Sequence, residues 1–339
     1  MRIVAIGGGT GLSTLLKGLK HYVPHANVPN QAKSASSVIV IDDLTAIVTV
    51  TDDGGSSGRL RREFNILPPG DIRNCIVALS EDEATMSRLF QYRFPETSGL
   101  LGHSFGNLFL TALTATTGDF AEAVRLSSEI LATRGHIYPA TTATCELEAQ
   151  MDDGTLVRGE TNITASKCRI VKLQMIPPDV KPMTQTLEAI AAADLITIGP
   201  GSLFTSLIPN VLVNGIPQAI ADSPALKVYV CNLMTQANES LGLTASEHIK
   251  AIRQHAGVKL FDAALLNVKQ LAPDLQAKYA LEGASQIVID EDEVRNLGVK
   301  PVLGDYLYTE KGVARHNTDR VAKELMQLAA ARALTTLSN

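Results

Sequence analysis

Tryptophan is absent from this chain of 339 residues, and its aromatic side chains are limited to seven tyrosines and eight phenylalanines. Proteins that bind single-stranded nucleic acid usually stack bases on aromatic side chains, so this scarcity argues against that class. Basic residues are also few, because the chain has 30 Lys and Arg and 35 Asp and Glu, which gives a formal net charge of −5. A dedicated nucleic-acid-binding protein usually presents a basic face. We therefore expect no nucleic-acid partner.

Cysteine is scarce as well, and the four cysteines form no C-x-x-C pair. That spacing excludes a zinc ribbon and a dense disulfide framework. No apolar run approaches the roughly 18 residues that a membrane helix needs. A strand-like run, residues 2–6, follows Met1 directly, without the features of a signal peptide. Since 45% of the residues are hydrophobic, the chain can bury a core. These features predict a reduced, cytoplasmic, globular protein without a membrane span.

Short β-branched runs alternate with helical patterns along most of the chain. Residues 2–6 and 195–198 are typical of buried strands, and helical spacing follows the first of them from Leu12 to Leu19. This alternation predicts a doubly wound, mostly parallel α/β sheet covered by helices on both faces. Residues 142–171 differ, because an Asp-Gly pair separates β-like runs there, and this pattern predicts a small antiparallel β insert. No linker is evident, so we expect residues 1–339 to form one domain.

Several further elements are predicted with their boundaries. Residues 38–41, 47–50 and 228–231 have the composition of strands, and a late strand is expected over 287–289. The polar residues 51–58 are typical of a loop. A helix is expected over 246–255 with Ser246 as its N-cap, and Thr318 or Asp319 is expected to begin the last helix.

The first candidate binding loop, residues 7–12, has the sequence Gly-Gly-Gly-Thr-Gly-Leu and follows the first strand. Glycines let a backbone approach a pyrophosphate, and the helix N-terminus that follows offers free N–H groups. Leu12 stands where the third glycine of a dinucleotide fingerprint belongs, which counts against an NAD-dependent dehydrogenase. No P-loop motif occurs in the chain. A tight turn without a ligand is the alternative interpretation.

The second loop, residues 52–59, pairs Asp52 and Asp53 with a Gly- and Ser-rich segment that ends in Arg59. Adjacent carboxylates at a strand end can hold a hard cation or accept hydrogen bonds from ribose hydroxyls. The Gly and Ser backbone that follows can form a nest for an anion. An Asp-Asp-Gly-Gly segment is also ordinary turn composition, so a solvated turn stays open.

Two further loops precede helical runs. In residues 68–74, Asp71 taken singly suits a helix N-cap better than a ligand contact. In residues 102–107, His103 suits a structural or surface role, and no Ser/His/Asp arrangement can be assigned around it.

Residues 199–206 repeat the pattern of the first loop, with a strand, glycines and then a hydroxyl at a helix N-terminus. Two such loops on one sheet suggest a ligand with phosphate at one end. In residues 312–319, Arg315 could reach such a phosphate, although a lone arginine before a terminal helix is more often a surface residue.

Taken together, these loops resemble those of one family, the gluconeogenesis factors of the YvcK type. The resemblance lies in residues 6–12, 47–61, 68–75, 199–202 and 315–318, and the second and third of these motifs are long and specific. That family belongs to a superfamily with 2-phospho-L-lactate transferase (CofD), which moves a phospholactyl group from a guanylyl carrier to a deazaflavin precursor. The match extends from Met1 to about Leu328.

The resemblance implies a Rossmann-like three-layer fold and a nucleotide-type ligand. Members of the family are associated with the binding of uridine nucleotide sugars, and with growth and cell shape on gluconeogenic carbon sources. Residues 24–43 form a longer connection than is usual in the family, and we interpret them as a peripheral insertion.

Two functions therefore stand foremost. One is a regulatory protein that binds a nucleotide sugar without turnover, and the alternative is a Mg²⁺-dependent transferase of the phospholactyl type, in which Asp52 and Asp53 hold the metal and act in catalysis. Mg²⁺ is the only cofactor suggested, and a homo-oligomer or an unidentified protein partner stays open. The candidate ligand-binding residues are Gly8, Gly9, Thr10, Gly11, Leu12, Asp52, Asp53, Ser56, Ser57, Asn74, Gly106, Asn107, Gly199, Gly201, Ser202, Asn232 and Arg315.

Overall fold

Seven parallel strands form the central sheet of the computed structural model, which describes residues 1–24, 39–95 and 97–337. In chain order the strands are β1 (Arg2–Gly7), β2 (Asp43–Val48), β3 (His136–Pro139), β4 (Glu146–Met151), β5 (Leu156–Arg158), β6 (Ile170–Ile176), β7 (Leu195–Ile198), β8 (Leu226–Val230), β9 (Ala263–Asn267), β10 (Lys300–Gly304), β11 (Leu307–Glu310) and β12 (Val313–His316).

Helices cover both faces of this sheet. In chain order they are α1 (Gly9–Lys20), α2 (Gly55–Phe64), α3 (Gly70–Leu79), α4 (Glu83–Phe90), α5 (Phe105–Thr117), α6 (Phe120–Ile130), α7 (Glu160–Ala165), α8 (Thr184–Ala192), a π-helical turn (Leu203–Leu207), α9 (Ile208–Leu212), α10 (Ile216–Asp222), α11 (Ala245–Ala256), α12 (Pro273–Leu281), α13 (Glu291–Asn296) and α14 (Thr318–Leu337).

The order of strands in the sheet is β10-β9-β8-β7-β1-β2-β3, and every neighbouring pair is parallel. The chain runs from β1 outward to β3, returns to β7 on the other side of β1, and then runs outward to β10. The topology therefore reverses between β1 and β7. In open α/β sheets, the crevice outside the carboxyl ends of the strands at such a point is where ligands bind.

Successive side chains of β1 point to opposite faces of the sheet, and this alternation explains why helices pack on both faces in a three-layer fold. Ile3 and Ala5 belong to the core on one face of the sheet, whereas Val4 and Ile6 belong to the core on the other. The first core also holds the leucines of α1, and fully burying such a side chain stabilises a fold by about 1.5–3 kcal/mol. The predicted doubly wound α/β sheet of Rossmann-like type is therefore confirmed.

The antiparallel insert is also confirmed, as a three-stranded sheet in the order β5-β4-β6. Its third strand continues to Ile176, beyond the predicted end at residue 171, and α7 lies between β5 and β6. Of the predicted peripheral insertion over residues 24–43, residues 25–38 lie outside the described part of the chain.

The predicted strand over 38–41 is wrong for its described residues 39–41, because the sheet strand begins only at Asp43 and ends at Val48. The strand expected over 287–289 is also absent, and only an isolated bridge between Met234 and Gln286 lies nearby. The predicted strands do not include β3, β9, β10 or the β11–β12 hairpin. Short apolar runs such as Ala-Ala-Leu-Leu-Asn fit a buried helix segment as well as a strand, so periodicity cannot identify them.

Helix starts differ from prediction in three places. Helices α1 and α2 begin at Gly9 and Gly55, inside segments predicted to be loops, so both loops are shorter than expected. The N-cap of α11 is Thr244 rather than Ser246, because the Thr244 side chain and Glu247 form a capping box. The last helix begins at Thr318, as expected.

Within the described residues, no single helix has both the length and the apolar character to cross a membrane. One bent pair of helical segments, Leu203–Leu212 and Ile216–Asp222, reaches that length and composition only when the two are taken together.

Gly11 brings α1 against the turn that follows β7. A Cβ atom built on Gly11 would lie 2.2 Å from the carbonyl oxygen of Pro200, so this glycine is required by backbone packing. We expect Gly11→Ala to lower the free energy of unfolding by about 2 kcal/mol, because overpacking forces the backbone to move. Urea denaturation would measure this change. Gly99→Ala is the matched control, since a Cβ there meets nothing within 4 Å, and equal stability of the two variants would contradict the assignment.

Candidate ligand site

A cavity of about 510 Å³ lies at the reversal point of the sheet, between the turns that follow β1 and β7. Nine of the predicted ligand-binding residues line it, and they come from five separate segments of the chain. These residues are Gly8, Gly9, Thr10, Gly11, Asp52, Gly201, Ser202, Asn232 and Arg315.

The first wall of the cavity is the N-terminus of α1. The N-cap residue Gly8 is extended and has no side chain with which to cap this helix, while the carboxyl group of Asp71 lies beside Gly8 and Gly9. Gly9 has a φ of 58°, a left-handed conformation that favours glycine. The first N–H groups of a helix have no partner within the helix, and together with the helix dipole they attract anions. This end of α1 can therefore receive a phosphate.

The turn after β7 is built differently from what the sequence suggested. The N–H groups of Phe204 and Thr205, in the first half of the π-helical turn, donate to the buried carboxylate of Glu239 at 2.8 and 2.9 Å. Asn232 holds Gly201 at both backbone groups, with Oδ1 accepting at 3.1 Å and Nδ2 donating at 2.7 Å. The protein itself thus satisfies this second helix N-terminus, and α1 is the better candidate for phosphate.

Three carboxyl groups gather at one end of the cavity, those of Asp52, Asp71 and Glu160. Burial, followed by the charge of Asp52, raises the pKa of Asp71 to about 7. Burial and the charges of Asp52 and Asp71 raise the pKa of Glu160 to about 9. Carboxylates that lie close together cannot all ionise without a cation, so this end of the cavity holds protons near neutral pH.

The donor set of this acidic end fits Mg²⁺, which prefers hard oxygen ligands and keeps several of its water molecules. The three residues do not form a closed cage. Among the described residues, the group whose ligand atoms all lie within 4.8 Å of one another is a different one, Asp152 with Asp153 and Cys168 on the turn of the insert. A cation at the acidic end would therefore be completed by water or by a ligand phosphate.

Asp53 does not line the cavity, although Asp52 does. Its Oδ1 accepts hydrogen bonds from the backbone N–H and the hydroxyl of Thr161, at 2.9 and 2.6 Å. The side chain therefore fixes α7 of the insert beside the loop after β2. This contact also sets the position of Glu160, the first residue of α7.

A buried polar network beneath α2 includes three of the other predicted residues, Ser56, Asn74 and Asn107. The Ser56 hydroxyl accepts from Asn107 Nδ2 at 3.1 Å and pairs with His103 Nδ1 at 2.9 Å. The guanidinium of Arg73 donates to Asn107 Oδ1 at 2.9 Å and to Asn74 Oδ1 at 2.8 Å. These side chains bind one another, and none of the five residues lines the cavity.

Four other predicted residues also serve the packing around the site. Leu12 is fully buried in the core, and Ser57 is buried next to Gly70. Gly106 accommodates the side chains of Phe90 and Arg73. Gly199 has a φ of 86° and approaches the carbonyl oxygen of Val230.

The opposite wall comes from β12. Arg315 is exposed at the mouth of the cavity, across the hairpin from Tyr308. His316 Nε2 lies 3.1 Å from the carbonyl oxygen of Cys231, and burial lowers the pKa of His316 to about 4. The imidazole is therefore neutral at physiological pH and donates through Nε2.

The cavity is also lined by residues that were not among the ligand-binding residues predicted from the sequence. Asp71 is not the N-cap of α3, as the sequence suggested, because Pro69 holds that position. No local signal marks Glu160, which reaches the site only through the folding of the insert. The lining residues outside the candidate set are Asp71, Glu160, Pro200, Ser206, Leu233, Met234, Gln236, Ala314 and His316.

Known proteins similar to this chain define its family. The family model described as 2-phospho-L-lactate transferase CofD matches residues 3–307. The gluconeogenesis factor of Halalkalibacterium halodurans is 45% identical over 96% of this chain and 95% of its own length. The gluconeogenesis factor of Bacillus subtilis is 44% identical over 96% of this chain and 98% of its own. A crystal structure of a Bacillus halodurans protein superimposes with a TM-score of 0.88 at 45% identity, covering 96% of this chain and 99% of the other.

The chain thus belongs to the CofD family and, within it, to the gluconeogenesis factors, as the loop motifs predicted.

The raised pKa values of Asp71 and Glu160 predict how stability depends on pH. Ordinary values are 3.8 and 4.5, so between pH 5 and 9 the native state binds more protons than the unfolded state. The free energy of unfolding should therefore fall as pH rises through about 7 and then about 9. In Asp71→Asn and in Glu160→Gln, the free energy of unfolding should fall less between pH 5.5 and pH 8.5 than it does in the parent.

Urea denaturation at both pH values, without divalent cations, measures the effect. Glu282→Gln, at an exposed position, is the control that should keep the pH dependence of the parent. An unchanged slope in both cavity variants would show that these two groups titrate normally.

Proposed function

We propose that this protein is a cytoplasmic regulatory protein that binds a nucleotide sugar, of the UDP-sugar type, in the cavity between β1 and β7. The observation that carries the proposal is the glycine-rich N-terminus of α1, which has no N-cap side chain and lines a cavity that Arg315 also lines. A diphosphate seated there would receive backbone N–H groups from one side and a guanidinium from the other. In the cell, this binding would support growth and cell morphogenesis on gluconeogenic carbon sources.

The polar groups of the cavity favour binding over covalent turnover. His316, a candidate base, donates through Nε2 to the Cys231 carbonyl, and among the described residues no hydroxyl group is hydrogen-bonded to its ring. Ser202 instead accepts from Gln236 Nε2 at 2.8 Å. A serine nucleophile needs a base within hydrogen-bonding distance, and the described cavity does not provide that pair.

The acidic end of the cavity supports a second candidate, a Mg²⁺-dependent transferase of the phospholactyl type. Asp52, Asp71 and Glu160 would hold the ion, and the ion would supply charge neutralisation on the diphosphate. The role of the chain itself would be to orient the phosphates at α1, and the carboxyl groups of Asp71 and Glu160 would give up their protons when the ion binds.

Calorimetry separates the two functions. We expect UDP-N-acetylglucosamine to bind without being consumed, and NAD not to bind. Binding of GDP that requires Mg²⁺ would instead favour the transferase. Asp52→Asn should weaken any Mg²⁺-dependent binding strongly and metal-free binding only modestly, because it removes charge while keeping shape. An unchanged Mg²⁺ titration in this variant would eliminate Asp52 as a metal ligand.

Arg315 provides the sharpest test of the phosphate site. A guanidinium grips a diphosphate through paired, charge-assisted hydrogen bonds, so Arg315→Ala should weaken nucleotide-sugar binding by about 2 kcal/mol, or roughly thirtyfold. Arg315→Lys should restore only part of this, because an ammonium group cannot present the same fork.

Thermal unfolding without ligand accompanies each titration, so that a loss of fold is not mistaken for a loss of contact. Arg88→Ala, at an exposed position outside the cavity, is the matched control and should bind as the parent does. Affinity equal to that of the parent in Arg315→Ala would exclude this arginine from the site.

A further inference from the structure

A second cavity, of about 550 Å³, lies between the insert and α11, and among the described residues it shares none with the lining of the ligand cavity. One wall is β6, an edge strand of the insert sheet, and the other is α11 with the segment that precedes it. The N–H of Leu173 donates to Nε2 of His255 on α11 at 2.9 Å. The free edge of β6 therefore faces the helix, and we call the space between them the β6–α11 groove.

A bulge interrupts β6 inside this groove. Gln150 of β4 lies opposite Lys172. The next residue, Met151, lies opposite Ile170, so that Val171 has no opposite residue. The extra residue of a bulge is left out of the ladder, and Val171 also lines the groove with a side chain that is 48% exposed. An unpaired residue on a sheet edge can accept an extended chain through main-chain hydrogen bonds.

Basic side chains line the groove on both walls. Lys167 and Arg169 precede β6, and within the described part of the chain neither side chain has an ion pair or a hydrogen bond. Lys250 stands on α11, where its nearest acid is the exposed Glu293 at 3.8 Å. These three cations are therefore available to an anionic partner, although the chain as a whole is acidic.

The acidic side chains that line the groove are instead engaged by backbone N–H groups. Asp152 Oδ1 accepts from the N–H of Arg169 at 3.1 Å, and Glu247 Oε2 accepts from the N–H of Thr244 at 2.8 Å. Glu239 is buried and holds the turn after β7. The charges of the groove that lack such a partner are therefore positive.

The floor of the groove is apolar and reaches the turn that also borders the ligand cavity. Phe204 is buried and packs edge-on against His255, while Leu241 adds a side chain that is 48% exposed. Phe204 belongs to the same π-helical turn as Ser206, which lines the ligand cavity. A partner in this groove therefore contacts the turn that a ligand in the cavity contacts from the other side.

We propose that the β6–α11 groove binds an extended segment of a partner protein in which acidic and apolar residues alternate. The main chain of the segment pairs with β6 at Val171. Its apolar side chains pack on Phe204 and Leu241. Its carboxylates pair with Arg169 and Lys250, one on each wall. Because successive side chains of an extended chain point to opposite sides, such a segment directs one residue type to the floor and the other to the basic walls.

Fluorescence anisotropy tests this site with a fluorescein-labelled peptide of alternating glutamate and valine, about six residues long, the usual length of a strand. The peptide should bind the parent, and added salt should weaken it, because exposed charges are screened. A peptide with its glutamates and valines in separate blocks should bind about tenfold more weakly, since it cannot place both residue types at once. All titrations are made without nucleotide, so their result does not depend on the proposed nucleotide-sugar function.

Variants of the walls locate the peptide. Arg169→Ala and Lys250→Ala should each weaken it by about threefold, the effect expected for an exposed ion pair. Val171→Asp should abolish binding, because it places a carboxylate beside those of the peptide. Lys323→Ala, at an exposed position of α14 outside the groove, is the matched control and should bind as the parent does. Thermal unfolding shows whether each variant is folded.

Cys168 provides a test on the parent chain. It lines the groove and is half-buried, whereas the other three cysteines are buried. N-ethylmaleimide should therefore modify Cys168 and block the peptide, and Cys168→Ser should still bind after the same treatment.

Three results would overturn the proposal. The alternating peptide could fail to bind the parent or bind no better than the block peptide, the wall variants could bind as the parent does, or the alkylated parent could still bind. A parent dimer that Val171→Asp dissociates in sedimentation velocity would assign the groove to a second copy of the chain, and would overturn the proposal as well.

Discussion

The contact between α1 and the turn after β7 holds together the two halves of the sheet at the edge where the cavity lies. Gly11 meets the carbonyl of Pro200 because it has no side chain, and the fully buried Asn210 adds a second connection. Asn210 Nδ2 donates to the carbonyl oxygens of Gly7 at 3.1 Å and of Ser206 at 2.8 Å. Since Gly11, Pro200 and Ser206 line the cavity, its shape depends on this contact.

Groups of both signs of charge line the cavity, and together they restrict which ligands can bind. The N-terminus of α1 and Arg315 favour an anion, while Asp52, Asp71 and Glu160 repel one unless they hold protons or a cation. The raised pKa values of Asp71 and Glu160 show that the protein alone relieves part of this repulsion by keeping protons. A ligand that is anionic in the middle and rich in hydroxyl groups at one end is compatible with both charges.

Polar motif residues divide into two groups that the sequence does not distinguish. Asp52 and Asp53 are neighbours of the same type, yet one lines the cavity and the other binds Thr161 of the insert. Ser56 and Asn107 likewise belong to the buried network around Arg73. Both kinds of residue are needed for the site, because the network fixes α2 and α5 beside the acidic end. A motif therefore marks the neighbourhood of the site without identifying which side chains face it.

The sequence by itself determined the parallel α/β sheet, the insert and the first glycine turn, because hydrophobic periodicity and glycine placement act over a few residues. The tertiary structure alone decided which loops meet. Glu160 joins the site through the position of α7, and Glu239 closes the helix N-terminus after β7 from 34 residues along the chain. Contacts between residues so far apart depend on how whole elements pack, and no local pattern encodes that packing.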